Sequence, residues 1–342
     1  MNYARLTDSP ADAVAAALSG TARGIAAPTS GSTGVPREVL LSASAVRASA
    51  TATLARLGGG AHWLLAVPAT RIAGAMVLAR ASVGGGAVTP MREGAFTAAA
   101  FAQAVAGMPT GRRYVSLVPT QVRRLLADAR GADALATFDA VLVGGAAPGM
   151  ALPAGAVETY GMTETCGGCV YDGAPLDGVD VRVDDDGRVL LAGPMLADGY
   201  ADGDDSAFVR RDGHRWLRTG DLGAWDGSRL VIAGRADDVI ITGGVNVHPA
   251  AVERALLALP DIADAVVVGV PDPEWGQVVA ALVVTGPDVP VDAADVRAAL
   301  PVSRAERPRI VLAVDAVPRT DAGKIDRSAA RTLAARAAKE AP

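Results

Sequence analysis

Apolar runs and helical patterns alternate along the first half of the chain. Residues 1–27 predict a helix that starts at Asp8–Pro10 and is followed by an apolar link. The later runs predict strands at 63–67, 114–118 and 140–143, and helices at 42–57, 72–81 and 119–129. Such alternation with short turns favours a layered α/β unit with a largely parallel sheet. Ligands bind beyond the carboxyl ends of such strands, so we expect a site in the loops after Val143 and Val157.

From Asp177 the pattern changes to an alternation of apolar and polar residues around Asp-Gly turns. This pattern predicts hairpins and a β-rich subdomain at about 173–233.

The last part of the chain predicts a small α+β domain, with strands at 239–241, 265–270, 278–284 and 310–314 and helices at 249–259 and 292–300. Between them lies Gly234–Gly244, GRADDVIITGG, in which two acids precede an apolar triplet and two glycines. This pattern is typical of an ordinary turn entering a strand, and also of a boundary between two moving bodies.

The composition narrows the possible partners of this 342-residue chain. Half of the residues are hydrophobic, and the net charge is −5 with no basic block, so we expect no nucleic acid and no anionic membrane as partner. The N-terminal residues lack a signal-peptide pattern. Pro68, Arg71 and Arg80 interrupt the most apolar stretch, His62–Ala81, which argues against a membrane span. Two cysteines without an export signal predict a cytoplasmic location.

Lysine is rare in this chain, because only Lys324 and Lys339 accompany a large number of arginines. A lysine kept in such a chain is a candidate for a task that needs a compact point charge on a flexible stem. Lys339 lies in an Ala-rich tail, where we expect it to be solvated. Lys324 lies in the turn TDAGKIDR and is the candidate for chemistry.

The segment Thr29–Glu38, TSGSTGVPRE, interleaves hydroxyl residues with glycines. Glycines let backbone N–H groups surround phosphate oxygens, and hydroxyls add donors, although the pattern lacks the Gly-Lys-Ser/Thr of a P-loop. The alternative is an ordinary Ser/Gly loop. Further along, Arg71 stands among apolar neighbours, where it either extends to solvent or faces an anionic ligand.

Three further motifs carry candidate polar groups. In Tyr160–Thr165, YGMTET, an aromatic ring suits a purine and Glu164 suits Mg²⁺, unless the segment is a simple polar turn. Cys166 and Cys169 have CxxC spacing without a second cysteine pair, which disfavours a metal or redox site and favours small pocket-lining residues. In Arg218–Asp221, between predicted strands, the Asp either grips vicinal hydroxyls or simply forms a turn.

In this order, TSGSTGVPRE, YGMTET, RTGD, GRADDVIITGG and TDAGKIDR resemble the adenylate-forming superfamily over about residues 28–330. Within it, YVSLVPTQVRRLL (114–126), VLVGGAAPG (141–149) and TYGMTETCGGCVYDGAPLDGV (159–179) are similar to the o-succinylbenzoate–CoA ligases of menaquinone biosynthesis, in their short actinobacterial form. The resemblance implies a large N-terminal AMP-binding domain at 1–236 and a mobile C-terminal domain at 237–342. It also implies ATP, Mg²⁺ and CoA as ligands; we further expect a small-molecule acid as partner and allow for a homodimer.

The resemblance assigns roles by position. Lys324, Thr163 and Glu164 are implied to be catalytic, with Glu164 also holding Mg²⁺, and Asp237 is implied to be the hinge. The residues implied to bind the nucleotide or CoA are Thr29, Ser30, Gly31, Ser32, Thr33, Gly34, Gly145, Ala146, Tyr160, Gly161, Asp221, Arg235, Gly243 and Gly244. The residues implied to line the acid pocket are Arg71, Thr120, Gly144 and Gly167.

The chain departs from the family pattern at three positions. Arg37 stands where the family usually has Lys, Val245 where many members have Glu, and Arg71 where many have His. The last departure suggests that Arg71 pairs with the second carboxylate of o-succinylbenzoate. Two rivals stay open: an adenylating enzyme that uses another acid or a carrier protein, and a non-catalytic nucleotide-binding homologue. Loss of Lys324 or Glu164 would indicate the homologue, but both are present.

Overall fold

The computed structural model describes residues 2–29, 37–145, 152–286, 292–320 and 325–340. The chain forms two compact units. The first comprises residues 1–184, 189–219 and 225–230, and the second comprises 185–188, 220–224 and 231–342. The predicted α/β class is confirmed. In the described part of the chain, no helix is both long and apolar enough to cross a membrane.

The first unit contains a seven-stranded sheet in the order β10-β9-β8-β7-β6-β4-β5. Strands β5, β4, β6, β7 and β8 are parallel, while β9 and β10 are added antiparallel. The strands are β4 His62–Leu65, β5 Val88–Pro90, β6 Arg113–Leu117, β7 Ala140–Gly144, β8 Ala156–Met162, β9 Gly167–Tyr171 and β10 Ala174–Pro175.

Helices cover both faces of this sheet, which explains why its central strands read as continuous apolar runs. Val115 and Val141 pack in a core with side chains from α4 Ala98–Ala106, α5 Pro119–Leu126 and α6 Ala129–Leu135. Tyr114 and Leu142 belong to the other face, where they pack with side chains from α2 Ala43–Leu57 and α3 Ile72–Gly84. The predicted helix at 119–129 is two helices, because the Asp128 side chain accepts bonds from the N–H groups of Arg130 and Gly131 and caps α6.

A four-stranded sheet corrects the prediction for the N-terminal residues. Its order is β1-β2-β3-β13, with β1 Tyr3–Arg5, β2 Gly24–Pro28, β3 Glu38–Ser42 and β13 Gly199–Tyr200. The expected helix is present as α1 Pro10–Ser19, but the stretches on either side of it are strands. Their few residues have no clear alternation, and they form strands because β1 pairs with β2 and β2 pairs with β3.

The predicted β-rich subdomain contains a sheet in the order β11-β12-β15-β14, with β16 paired to β15. The strands are β11 Asp180–Val183, β12 Arg188–Ala192, β14 Phe208–Arg211, β15 His214–Asp226 and β16 Arg229–Arg235. Arg218–Asp221 was predicted to lie between strands, and this was wrong: the four residues lie inside β15, a strand of 13 residues. Cross-strand pairing overrides the turn preference of the Thr-Gly-Asp sequence.

The second unit has its own sheet in the order β18-β17-β20-β19, with β21 paired to β20. Its elements are β17 Ile240–Thr242, β18 Val245–Val247, α7 Pro249–Leu257, β19 Ile262–Asp272, β20 Gly276–Thr285, α8 Ala293–Ala299, β21 Ile310–Ala313 and α9 Arg327–Glu340. Alternate valines of β19 face opposite sides. Val267 packs in the cluster that includes Val252 of α7, and Val266 packs in the one that includes Ala330 and Ala334 of α9.

Candidate functional site

Most of the described site candidates of the first unit lie at the carboxyl ends of its parallel strands. Arg71 follows β4, Thr120 lies in the first turn of α5 after β6, Gly144 ends β7, and Glu164 follows β8. Because β4, β6, β7 and β8 are neighbouring parallel strands, these positions share one edge of the sheet. Hydrogen bonds of the Gln121 side chain connect the segments that follow β4 and β6. Gln121 accepts from the Val118 N–H at 2.9 Å and donates to the Ala66 carbonyl at 2.8 Å.

Tyr160 and Gly161 lie within β8, and not in a loop after Val157 as the sequence indicated. The strand continues to Met162 because β9 pairs with it. Gly161 is required by this pairing, since a Cβ there would lie 2.1 Å from the Gly167 carbonyl oxygen. The polar part of the motif is the short 3-10 turn Thr163–Thr165, which follows the strand.

The turn Thr163–Thr165 is held from several sides. The Met162 N–H donates to Thr165 Oγ1 at 2.9 Å, and that hydroxyl donates to the Gly167 carbonyl at 2.7 Å. The Ala197 N–H donates to the Glu164 carbonyl at 2.8 Å. Since Thr165 is fully buried and Thr163 nearly so, the turn presents Glu164 from a rigid base.

The glycine- and hydroxyl-rich segment is closed at its base by Thr29 and Arg37. The Thr29 N–H donates to the Arg37 carbonyl at 2.7 Å, and the Arg37 N–H donates to Thr29 Oγ1 at 2.9 Å. Arg71 Nη1 donates to the Thr29 carbonyl at 3.0 Å, so the exposed Arg71 lies beside this base. Ser30, Gly31, Ser32, Thr33 and Gly34 lie outside the described residues.

Tyr200 connects Arg37 with Glu164. Its hydroxyl donates to Glu164 Oε1 at 2.8 Å, and the Arg37 guanidinium lies over its ring, 3.7 Å from the centroid. Arg37 also forms a fork with Asp202, with Nε and Nη2 each 2.7 Å from a carboxylate oxygen. Burial and the neighbouring Glu164 raise the pKa of Tyr200, which keeps its hydroxyl a donor. The hydrogen bond to Arg37 lowers the pKa of Asp202 to about 2.

Arg80 is a residue that sequence reasoning missed as a site candidate. It lies in α3 and is only 4% exposed. Its Nε is buried without a hydrogen-bond partner among the described residues, and its guanidinium lies 5.6 Å from the Trp63 ring centroid. Nη2 is 3.9 Å from where a Cβ on Gly167 would lie. An arginine inside the apolar helix IAGAMVLARASVG was the available signal, because buried charges normally require a partner.

The two cysteines near this position are buried, free and protonated. Burial raises the pKa of the Cys169 thiol to about 12 and that of Cys166 further still. The described residues contain no group of three or more His, Cys, Asp or Glu side chains able to hold a metal. The small side chains instead allow β8, β9 and α2 to pack closely, with the Ser49 hydroxyl donating to the Cys166 carbonyl at 3.1 Å.

In the second unit, Arg235 lies between two acids. Its Nη1 is 3.7 Å from Asp221 Oδ1, and its Nη2 is 3.9 Å from Asp237 Oδ2. The Asp221 side chain is 13% exposed and that of Asp237 is 72% exposed. Asp221 and Arg235, on the paired strands β15 and β16, therefore form a polar pair able to meet vicinal hydroxyls, and the exposed Asp237 lies beside it.

Gly243 and Gly244 form the turn between β17 and β18, with φ values of 55° and 79°. These left-handed torsions suit a two-residue hairpin turn. A Cβ on Gly243 would lie 2.6 Å from the Trp275 ring, whereas one on Gly244 would meet nothing within 4 Å. A side chain at position 243 would therefore clash with Trp275, whereas the space beside the Gly244 backbone is empty of other atoms of the described residues.

Two other predicted site residues, Lys324 and Ala146, lie outside the described residues. The segment that contains Lys324 is bounded by an antiparallel bridge between Arg319 and Ile325. Gly145, next to Ala146, has a φ of 87° and lies at the end of β7.

A largely parallel sheet with a carboxylate and hydroxyl groups at its carboxyl edge is the arrangement of a nucleotide-binding α/β enzyme. Comparisons with known proteins agree. Residues 26–201 match the AMP-binding enzyme family, and residues 251–324 match the AMP-binding enzyme C-terminal domain. The chain belongs to this family of adenylate-forming enzymes.

Relatives and solved structures refine the comparison. The chain is 42% identical over 315 residues to a Mycobacterium tuberculosis protein named "Probable 2-succinylbenzoate–CoA ligase", covering 88% of this chain and 82% of that protein. It is 30% identical over 332 residues to the 2-succinylbenzoate–CoA ligase of Enterococcus faecalis, covering 87% and 67%. The structure of the Bacillus subtilis o-succinylbenzoate CoA synthetase with its acyl-adenylate intermediate matches at a TM-score of 0.75 and 27% identity, covering 90% and 68%.

Proposed function

We propose that this chain joins o-succinylbenzoate to CoA with ATP, releasing AMP and diphosphate, as a step of menaquinone biosynthesis. The observation that carries the proposal is the 42% identity to a relative named for this activity, over most of both chains. The site supports it, because the carboxyl edge of the seven-stranded sheet carries a carboxylate and hydroxyl groups.

Glu164 suits the Mg²⁺ that such a reaction uses. Its carboxylate offers hard oxygen atoms, and one of them, Oε1, accepts the Tyr200 hydroxyl. When bound, Mg²⁺ neutralises phosphate charge. The residue proposed to hold it is Glu164.

In the first half-reaction, an oxygen of the substrate carboxylate attacks the α-phosphorus of ATP. The new C–O–P linkage forms as the bond to the β-phosphate breaks, and diphosphate leaves. Such phosphoryl chemistry depends on positioning and on stabilised charge. We assign Thr163 to the α-phosphate and Lys324 to the space between carboxylate and phosphate, where a point charge is sufficient. Tyr160 is assigned to the adenine ring, and Asp221 with Arg235 to the ribose hydroxyls.

In the second half-reaction, the CoA sulfur attacks the acyl carbon. The C–S bond forms, the C–O bond to AMP breaks, and the thiol loses its proton. We assign Asp237 as the hinge about which the C-terminal domain turns, withdrawing Lys324 and bringing the turn at Gly243 and Gly244 to the pantetheine chain. The open backbone of Gly244 fits that assignment, since no side chain fills the space beside it.

A substrate with a second carboxylate would give Arg80 Nε a partner. The Arg80 guanidinium is buried beside Gly167, and its Nε has no hydrogen-bond partner among the described residues, which is costly for a buried charged group. Arg71 is the other arginine proposed for this role, but it is exposed and already donates to the Thr29 carbonyl. We therefore assign Arg80 to the second carboxylate of the substrate. Arg71 is assigned to the base of the glycine- and hydroxyl-rich segment, beside Thr29.

The test is CoA ligation with ATP, using o-succinylbenzoate, benzoate and a medium-chain fatty acid as substrates. We expect thioester from o-succinylbenzoate at a kcat/KM well above that of the others. Diphosphate exchange with the same acids, with CoA or a carrier protein as acceptor, identifies the alternative. A higher kcat/KM with another acid, or transfer only to a carrier, would overturn the proposal.

Two finer predictions accompany this function. We propose a cytoplasmic location, which the two free cysteines support, and a homodimer as the oligomeric state to be tested. Sedimentation of the purified chain tests the oligomeric state, and fractionation of cells tests the location.

A further inference from the structure

The side chains of Arg37, Tyr200 and Glu164 form a continuous row in the first unit. Arg37 covers one face of the Tyr200 ring, and the Tyr200 hydroxyl reaches Glu164 Oε1. The three residues come from separate parts of the chain: the position before β3, the end of β13, and the turn after β8. The row therefore joins Arg37, at the base of the glycine- and hydroxyl-rich segment, to the carboxylate assigned to Mg²⁺.

Arg37 is fixed by several acceptors at once. Its fork to Asp202 is joined by a bond from Nη2 to the Asp204 carbonyl at 2.7 Å. An exposed ion pair alone contributes little stability, but a planar fork that also lies on a ring holds that ring in one place. Lysine, which lacks a planar group, cannot form the same fork.

Glu164 is held at both its backbone and its side chain by one short segment. The Ala197 N–H bonds its carbonyl, and Tyr200 bonds its carboxylate. The segment, residues 197–200, is in turn paired to β3. The Asp198 N–H donates to the Leu40 carbonyl at 2.8 Å, and Tyr200 lies opposite Val39. One carboxylate oxygen is thereby occupied, and the direction of the other is set.

We propose that Tyr200 is a positioning residue that orients the Glu164 carboxylate toward its cation, and that Arg37 holds Tyr200 in that role. The inference rests on the proposed function, which assigns the cation to Glu164. It gives a reason for arginine at position 37, because the fork to Asp202 and the contact with the ring both need a guanidinium. The hydroxyl of Tyr200 supplies orientation and touches no reacting atom.

The first test is Tyr200→Phe, which keeps the ring beneath Arg37 and removes only the hydroxyl. We expect the affinity for Mn²⁺, titrated in the presence of α,β-methylene-ATP and followed by electron paramagnetic resonance, to fall by about tenfold, the effect of one hydrogen bond to a charged group. The Mg²⁺ concentration for half-maximal diphosphate exchange should rise by a similar factor. The KM for the acid should stay unchanged.

A matched control is available on the same sheet. The Tyr3 hydroxyl donates to the Asp198 carboxylate, two residues from Tyr200. Tyr3→Phe deletes an equivalent phenol-to-carboxylate bond, and we expect its Mn²⁺ affinity to match that of the wild type. Arg37→Lys should weaken Mn²⁺ binding less than Arg37→Met does, since it keeps the charge and loses the fork.

Several results would overturn the inference. One is a Tyr200→Phe variant that binds Mn²⁺ as Tyr3→Phe does. Another is a variant whose Mg²⁺ requirement, acid KM and melting temperature all change together, since that pattern marks a merely structural role. If the wild type binds Mn²⁺ with the analogue yet ligates no acid to CoA, the proposed function fails and the positioning role is still measured by the titration. If the wild type binds no Mn²⁺ with the analogue, both fail.

Discussion

Arg80 and Gly167 approach each other closely, with Arg80 Nη2 3.9 Å from the place of a Cβ on Gly167. Gly167 was predicted from the sequence to line the acid pocket, and Arg80 was not. Their proximity brings a buried guanidinium to the predicted pocket, where an acid with two carboxylates would meet it.

The first prediction concerns Arg80→Met, which keeps the side-chain length without the charge. We expect kcat/KM for o-succinylbenzoate to fall by about 100-fold, because a buried ion pair with the substrate is lost. The value for benzoate should change little. The melting temperature should change little, since Arg80 Nε has no hydrogen-bond partner among the described residues. Arg71→Met removes the other candidate arginine, and a loss selective for o-succinylbenzoate with Arg71→Met instead of Arg80→Met would contradict the assignment.

The second prediction concerns Lys324→Ala. Acyl-adenylate formation should fall by about 100-fold or more, because charge stabilisation at the transferred phosphate is lost. Thioester formation from supplied acyl-adenylate should be spared. Lys339→Ala removes the other lysine of the chain and should leave both half-reactions intact. Equal losses in both half-reactions of Lys324→Ala would count against its role.

The third prediction concerns Asp237→Pro, which stiffens the assigned hinge. We expect the opposite effect on the two half-reactions from that of Lys324→Ala. Acyl-adenylate should still form, and the transfer of its acyl group to CoA should be slowed. Rapid-quench measurement of the two half-reactions separates them. Normal thioester formation by this variant would remove Asp237 from the hinge.

The fourth prediction concerns Arg327, which holds the second unit together. It donates to both Glu253 oxygens at 2.6 and 3.1 Å, and its Nε lies 3.0 Å from Asp238 Oδ2. Glu253 is only 8% exposed, so Arg327→Met leaves a buried carboxylate unpaired, which costs about 3–5 kcal/mol. Denaturant unfolding should detect this loss, and Arg331→Met, at an exposed position of the same helix, should show none. An equal effect of the two variants would contradict the prediction.

The fifth prediction concerns the two thiols. Because burial raises the pKa of Cys169 to about 12, the native thiols should resist Ellman's reagent at pH 8 and react only on unfolding. The raised pKa also means that their stabilising effect is complete below the ordinary thiol pKa and is lost as the pH rises from that value towards 12. Over this range the wild type should lose more thermal stability than Cys166→Ala/Cys169→Ala. A fast native reaction at pH 8 would contradict the buried arrangement.

Much of the fold could be predicted from local sequence. The helix at Ala43–Leu57 begins at a serine cap and ends at glycine, and the valine-rich runs of β19 and β20 could only be strands. Such elements were predictable because their signals lie within a few residues of each other. By contrast, β1 and β2 were missed, since Tyr3–Arg5 and Gly24–Pro28 become strands only by pairing with each other and with β3.

For the site, the sequence by itself determined which residue types are present and in what order. These were sufficient to indicate the family and to propose roles for Thr163, Glu164 and Lys324. Only the tertiary structure decided what each group touches. Tyr200 and Arg80 became candidates because the fold sets a phenol against Glu164 and buries a guanidinium beside Gly167. Hydrogen bonds and burial join residues far apart in the chain, and no local pattern records those distances.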